Sequence, residues 1–273
     1  MEDKKKFYTS LNTNNKYITL NDINKILLKG NISEDVFDIK IWQQSFIHKS
    51  YISKNSIMVY PVNKKVFPLQ DKSNERLEWI GDTHIQSCVS YYLWNRYPDQ
   101  NEGFLTKLRS KLVKTKNLAY LANKLNLSPF LILSHHVEFN CQGRTNNNIL
   151  ENTFEAFIGA MFEDFKNKYN KEKAYSIVYS FLITIIEKYV DIVQMVFVDE
   201  NSKDQLMWYF QQKFNGEYPK YVEDKHENDI FYIVIYEPNT KKVVGRGKAR
   251  SKKDAQQNAA KSALQYYSKK ELS

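Results

Sequence analysis

The chain has 273 residues, 42% of them hydrophobic, and a formal net charge of +9. That length accommodates two domains with cores of their own, and the cationic excess points to a polyanionic partner, nucleic acid before an anionic membrane surface. Cys88 and Cys141 are the only cysteines, which excludes a disulfide framework and a Cys-x-x-Cys metal site and fits free thiols in a reducing, intracellular and cytoplasmic setting. Residues 1–35 read as a polar N-terminal extension with one or two short helices. The opening "MEDKKKFYTS" lacks the apolar core of a secretory signal.

From 36 to 198 the apolar spacing predicts helices almost throughout: "IKIWQQSFIHKSY", "NERLEWIGDTHIQSCVSYYLWNRY", "NEGFLTKLRSKLVKTKNLAYLANKLN", "NNNILENTFEAFIGAMFEDF" and "EKAYSIVYSFLITIIEKYV". The insert 52–72, with two prolines, reads as a loop. His48 is expected to be a packed structural histidine. Within 104–116, Lys107, Arg109, Lys111, Lys114 and Lys116 stand without an acid, either as a solvated helix face or as a phosphate-contacting surface. "SHHVE" (134–138) reads as a connecting loop, its adjacent histidines not aimed at one ligand. "IVYSFLITIIEKYVDIVQMVFV" (177–198) is interrupted by Glu187, Lys188 and Asp191, so it predicts a packed amphipathic helix and no membrane span. Beyond 199 the order becomes helix, three strands, helix, a small α+β domain over 199–273. Residues 245–273 carry eight Lys or Arg against two acids.

Two segments concentrate acids at helical spacing. Glu75, Glu78 and Asp82 in "NERLEWIGD" lie three and then four apart, in an apolar frame of Leu77, Trp79 and Ile80. Like charges at that spacing repel, and a divalent cation turns the repulsion into coordination, since hard cations take oxygen ligands. A solvated acidic face is the alternative. A second helix offers Asn152 and Glu155 as an i, i+3 pair, with Phe154, Phe157, Ile158 and Met161 for packing. Glu163 and Asp164, rotated off that face, read as solvated charges near the helix end.

These residues resemble the ribonuclease III family: "NERLEWIGD" is similar to its signature segment, "FIHKSY" to the stretch before it, "ENTFEAFIGA" to its second acidic motif, and "GRGKARSKKDAQQNAAKSAL" to the end of a double-stranded RNA-binding domain. The resemblance implies a mostly α catalytic domain over 36–198 followed by an α-β-β-β-α domain. It implies a homodimeric, metal-dependent endoribonuclease using Mg2+, with Mn2+ able to substitute, that leaves 5′-phosphates and short 3′ overhangs. By the same resemblance Glu78, Asp82 and Glu155 are metal ligands and catalytic residues, and Glu75 is an auxiliary carboxylate near the dimer interface. The fourth family ligand, an Asp, falls on Asn152, which removes one negative charge but keeps an oxygen donor.

In the tail, Ser251 with Asp254 forms a capping-box pattern that turns Lys252, Lys253 and the helix N-terminus the same way, toward phosphates. Ala255, Ala259, Ala260, Ala263 and Leu264 form the side packed on the strands. Gln205 and Gln211 on the preceding helix, and His226 in the loop after the first strand, are the minor-groove candidates. Gln256 and Met207 depart from the family's usual residues. The competing expectation is a double-stranded RNA-sequestering protein that kept the fold and lost most of its catalysis, favoured by Asn152. A DNA- or membrane-surface-binding protein selected on charge alone is the third.

Overall fold

The structure, a computed structural model, describes residues 11–52, 66–192, 195, 202–227, 229–238, 240 and 242–271. The chain divides into two compact units after Ile192. Most of the insert 52–72 and of the segment joining the units lies outside the described residues.

The first unit is helical. Helix α1 (Leu20–Lys29) starts at Thr19, whose hydroxyl accepts from the Asp22 N–H while the Asp22 carboxylate accepts from the Thr19 N–H, and it buries Ile23, Ile26 and Leu27. Ahead of it, Asn12 and Asn15 each donate from the side-chain amide to the Leu133 carbonyl, so the polar N-terminal stretch is packed on the helical unit. Helix α2 (Ile39–Gln44) presents Trp42 edge-on to Phe157 and Phe165. Then follow α3 (Glu75–Arg96), α4 (Glu102–Leu112), α5 (Thr115–Leu125), the short α6 (His135–Asn140), α7 (Asn147–Lys168) and α8 (Lys171–Tyr189).

Helix α7 is the centre. Thirteen of its residues are buried, Phe154, Phe157, Ile158 and Met161 completely, and it packs on α3, α5 and α8. A helix apolar on nearly all sides is one that others surround.

The stretch 101–126 is two helices, because Val113 closes α4 and Lys114 is extended before α5 begins. Residues 135–140 form a helical turn and a half where a loop was expected, since Ser134 caps it by accepting from Val137. Asp164 is fully buried, its carboxylate accepting the N–H groups of Phe37 (2.9 Å) and Asp38 (2.6 Å), so the solvated reading of that residue is wrong. Two backbone donors at a chain turn need an acceptor, and a buried carboxylate needs donors.

The second unit has α9 (Ser202–Lys213), a three-stranded antiparallel sheet in the order β1 (Tyr221–Glu227), β2 (Ile230–Tyr236), β3 (Val243–Ala249), and α10 (Lys252–Glu271). Its core joins Leu206 and Phe210 of α9, Ile233, Ile235 and Val244 of the sheet, and the Ala255, Ala259, Ala260, Ala263 and Tyr267 face of α10. That alanine stripe lets α10 lie close on β3: a Cβ at Gly247 would collide with the α10 backbone at Ala255 and Ala259. Among the described residues no helix is long and apolar enough to cross a membrane.

Candidate functional site

The acids of the two motifs come together because α3 and α7 cross at backbone contact. A Cβ at Gly81 would collide with the Glu155 carbonyl, and one at Gly159 with the Leu77 carbonyl. The pairing of 77 with 159 and 81 with 155 makes the crossing antiparallel. Gly81, costly for helix propensity, is therefore required by the crossing.

Glu155 leaves only 8% of its surface exposed, and among the described residues no donor hydrogen-bonds its carboxylate. Burial first, then the charges of Asp82, Glu151 and Glu78, push its pKa up to about 8. Glu78 is raised as well, by burial and then by Glu75, against the opposing effects of Lys49 and of a hydrogen bond with Asn152. Asp82 accepts from Gln86 Nε2 at 3.2 Å. The predicted quartet Glu78, Asp82, Asn152 and Glu155 is thus one electrostatic neighbourhood.

A fifth member, Glu151, escaped the sequence reading. Its carboxylate is raised by burial and by Asp82, with Thr115 hydrogen-bonded to it. The signal was available: Glu151 stands one helical turn before Glu155 and shares its face.

Among the described residues no three His, Cys, Asp or Glu side chains close on one point as a finished cation cage. The donor chemistry nevertheless fits a hard cation: oxygen ligands only, an excess of negative charge, and a buried carboxylate with no donor among the described residues. Glu75 lies outside this group, exposed, paired with Lys49 at 3.3 Å and accepting from Ser73 Oγ. It borders an open cleft lined by Gln44, Arg76, Trp79 and Lys166. Trp79, expected in the apolar frame, is 73% exposed at that cleft.

The cationic stretch is partly folded inward. Lys107, Arg109 and Lys111 are half-buried, and Arg109 donates to Ser90 Oγ at 3.1 Å, tying α4 to α3. His48 is half-buried and caps a short turn by accepting from the Ser50 N–H, the structural role expected.

In the second unit Ser251 accepts the Asp254 N–H at 3.1 Å and starts α10. Lys252 pairs with Glu223 at 2.9 Å, and Lys253 is exposed. Gln205 and Gln211 are half-buried on α9. His226 is not in a loop: it is within β1, opposite Phe231, its ring stacked on that ring at 4.1 Å. The strand runs further than its polar sequence indicated because β2 supplies the pairing and the aromatic cover.

Residues 75–166 match the family profile described as ribonuclease III domain, and 202–267 that described as double-stranded RNA binding motif. A probable ribonuclease 3 of Acanthamoeba polyphaga mimivirus is 34% identical over 275 residues, covering 98% of this chain, which spans 49% of that longer relative. Ribonuclease 3 of Desulfotalea psychrophila is 32% identical over 238 residues, covering 85% of this chain and 88% of the relative. Among solved structures, the nuclease domain of ribonuclease III from Campylobacter jejuni is 28% identical, covers 62% of this chain and 97% of that one, and superposes with a TM-score of 0.47. With a nuclease domain, an RNA-binding motif and near full-length relatives in the same order, the chain belongs to the ribonuclease III family of endoribonucleases.

Proposed function

We propose that the chain is a metal-dependent endoribonuclease that cuts double-stranded RNA to 5′-phosphate products with short 3′ overhangs, acting as a homodimer in RNA processing or degradation. The observation that carries this reading is Glu155: buried, without a donor among the described residues, and crowded by Asp82, Glu151 and Glu78. Such a carboxylate is stabilised by a proton or by a cation, and the family's reaction supplies a reason for the cation. Glu78, Asp82 and Glu155 would hold Mg2+ or Mn2+, with Asn152 contributing its amide oxygen. When bound, the ion supplies Lewis-acid stabilisation of phosphoryl charge and a water ionised near neutral pH.

The protein's own contribution is placement. Gln86 donates to Asp82 and so orients that carboxylate, while Asn152 lies beside Glu78 and favours its charged form. Burial and the neighbouring charges favour the protonated form of Glu155 near neutral pH, and a bound cation would favour its carboxylate instead. The α3–α7 crossing fixes the distance between the two helices' donors. Exposed Trp79 at an open cleft beside Glu75 supports an intersubunit contact at that face.

Asn152 favours a second reading, a sequestering protein with weakened catalysis, because one ligand charge is missing. Retention of half-buried Glu78 and Asp82 beside buried Glu155, a costly crowding of like charge, weighs against it. A long labelled RNA duplex incubated with Mg2+ or with EDTA, beside the Glu155→Gln protein, separates the two. Short duplex products that require both Mg2+ and Glu155 support the nuclease. A mobility shift without shortening, in Mn2+ as well, transfers the assignment to sequestration.

A further inference from the structure

Three cations converge on the first turn of α10, and one of them does not belong to that helix. Lys203, in the first turn of α9, donates from Nζ to Gln256 Oε1 at 2.7 Å, and its backbone N–H donates to Gln257 Oε1 at 3.3 Å. The same ammonium sits over the ring of Tyr221 of β1 at 5.0 Å. Gln256 is four residues after Lys252 and three after Lys253, so all three share one face at the helix start. The Lys203 charge therefore occupies the position that a long cationic side chain at 256 would reach.

Its partners make the arrangement informative. An ammonium has three donors, and here one is engaged by a neutral amide and the charge rests on an aromatic face. No carboxylate pairs with Lys203 among the described residues. Lys252, by contrast, is engaged by Glu223 at 2.9 Å. Holding a long side chain in one place costs rotamer entropy, and Lys203 is held by groups that leave its charge intact. A positioned cation with no carboxylate partner among the described residues, on the same helix face as Lys253 at a helix N-terminus, has the chemistry of a phosphate contact.

We infer that Lys203, presented by Gln256 and Tyr221, is a phosphate-binding residue of the second unit and completes a three-lysine cluster with Lys252 and Lys253. The inference rests on the reading of this unit as a double-stranded RNA-binding module. It assigns a backbone-contacting role to the start of α9, whose glutamines Gln205 and Gln211 are the groove-reading candidates. It also gives Gln256 a function: the amide trades its own charge for the placement of another.

The test uses the full chain in EDTA, so that no cleavage occurs, and an RNA duplex of about 20 base pairs, longer than the roughly 16 such a domain spans. Binding is followed by fluorescence anisotropy over a range of salt concentrations. Lys203→Ala is expected to bind about three- to tenfold more weakly, with the slope of log affinity against log salt reduced by about one. The double variant Lys203→Ala/Gln256→Lys returns a cation to the same place and is expected to restore both. Lys203→Met, which keeps the aliphatic stem over Tyr221, separates loss of charge from loss of packing, and thermal melts verify that it is folded. An unchanged slope in folded Lys203→Met, while Lys252→Ala lowers it, overturns the inference and leaves the RNA-binding reading standing. Absence of duplex binding by the unaltered chain overturns both.

Discussion

Both units use glycines to bring two elements into backbone contact, Gly81 and Gly159 between α3 and α7, Gly245 and Gly247 between β3 and α10. What lies beside the contact differs. At the α3–α7 crossing, buried Glu155 faces half-buried Asp82, Glu151 and Glu78, so the close approach concentrates like charge where solvation is reduced. At the start of α10, Lys252 and Lys253 are exposed, and Lys203 is half-exposed on an aromatic ring. Buried like charges demand a counter-ion or a proton, whereas solvated ones are tolerated and are spent only when a partner arrives. The first unit gathers carboxylates around one buried acid, and the second presents cations at its surface.

The comparison breaks most visibly at the glycines. Gly81→Ala drives a methyl into the Glu155 carbonyl and is expected to destabilise the first unit by about 3 kcal/mol or more, read by urea unfolding. Gly247→Ala meets the α10 backbone and is expected to lower the midpoint of a second-unit transition while leaving that of the first unchanged. Next in size is Asp164→Ala, which leaves the N–H groups of Phe37 and Asp38 without their acceptor inside the protein. A loss of about 2–3 kcal/mol is expected in the same assay.

A pH series sharpens the contrast. Between the ordinary value of 4.5 and about 8, Glu155 binds more proton in the folded than in the unfolded chain. Without metal, its contribution therefore reduces stability as pH rises through that window. Glu155→Gln is expected to flatten the dependence, and a melting series at fixed ionic strength measures it. Adding Mg2+ is expected to raise the melting temperature of the unaltered chain more at pH 8 than at pH 6, because the ion competes with the proton. The smallest effect is expected at the surface: Glu223→Gln frees Lys252 and tightens RNA duplex binding less than about threefold, as exposed ion pairs are weak.

The fold was legible where periodicity was strong. Helix α7 announced itself through Phe154, Phe157, Ile158 and Met161, and the change of texture after residue 199 marked the second unit. The candidate site was legible as spacing, since Glu78 and Asp82 share one helix face and Asn152 and Glu155 another. What sequence did not disclose depends on three-dimensional partners. Asp164 looks solvated until Phe37 and Asp38 present two N–H groups to it. Glu151 looks like any surface acid until α3 lies alongside. His226 looks like a loop residue until Phe231 pairs with it, and the role of Gln256 is invisible without Lys203. Local pattern encodes which face a residue occupies; it does not encode which charge or donor the fold delivers to that face.

The central claim is that the α3–α7 carboxylates form a cation site whose metal displaces the Glu155 proton. Titration calorimetry of Mg2+ into the RNA-free chain near pH 7, in two buffers of different ionisation enthalpy, tests it directly. The account predicts saturable binding with release of close to one proton per site, and loss of that release together with much weaker binding in Glu155→Gln. Binding that is unchanged in Glu155→Gln, or that releases no proton in the unaltered chain, would contradict it.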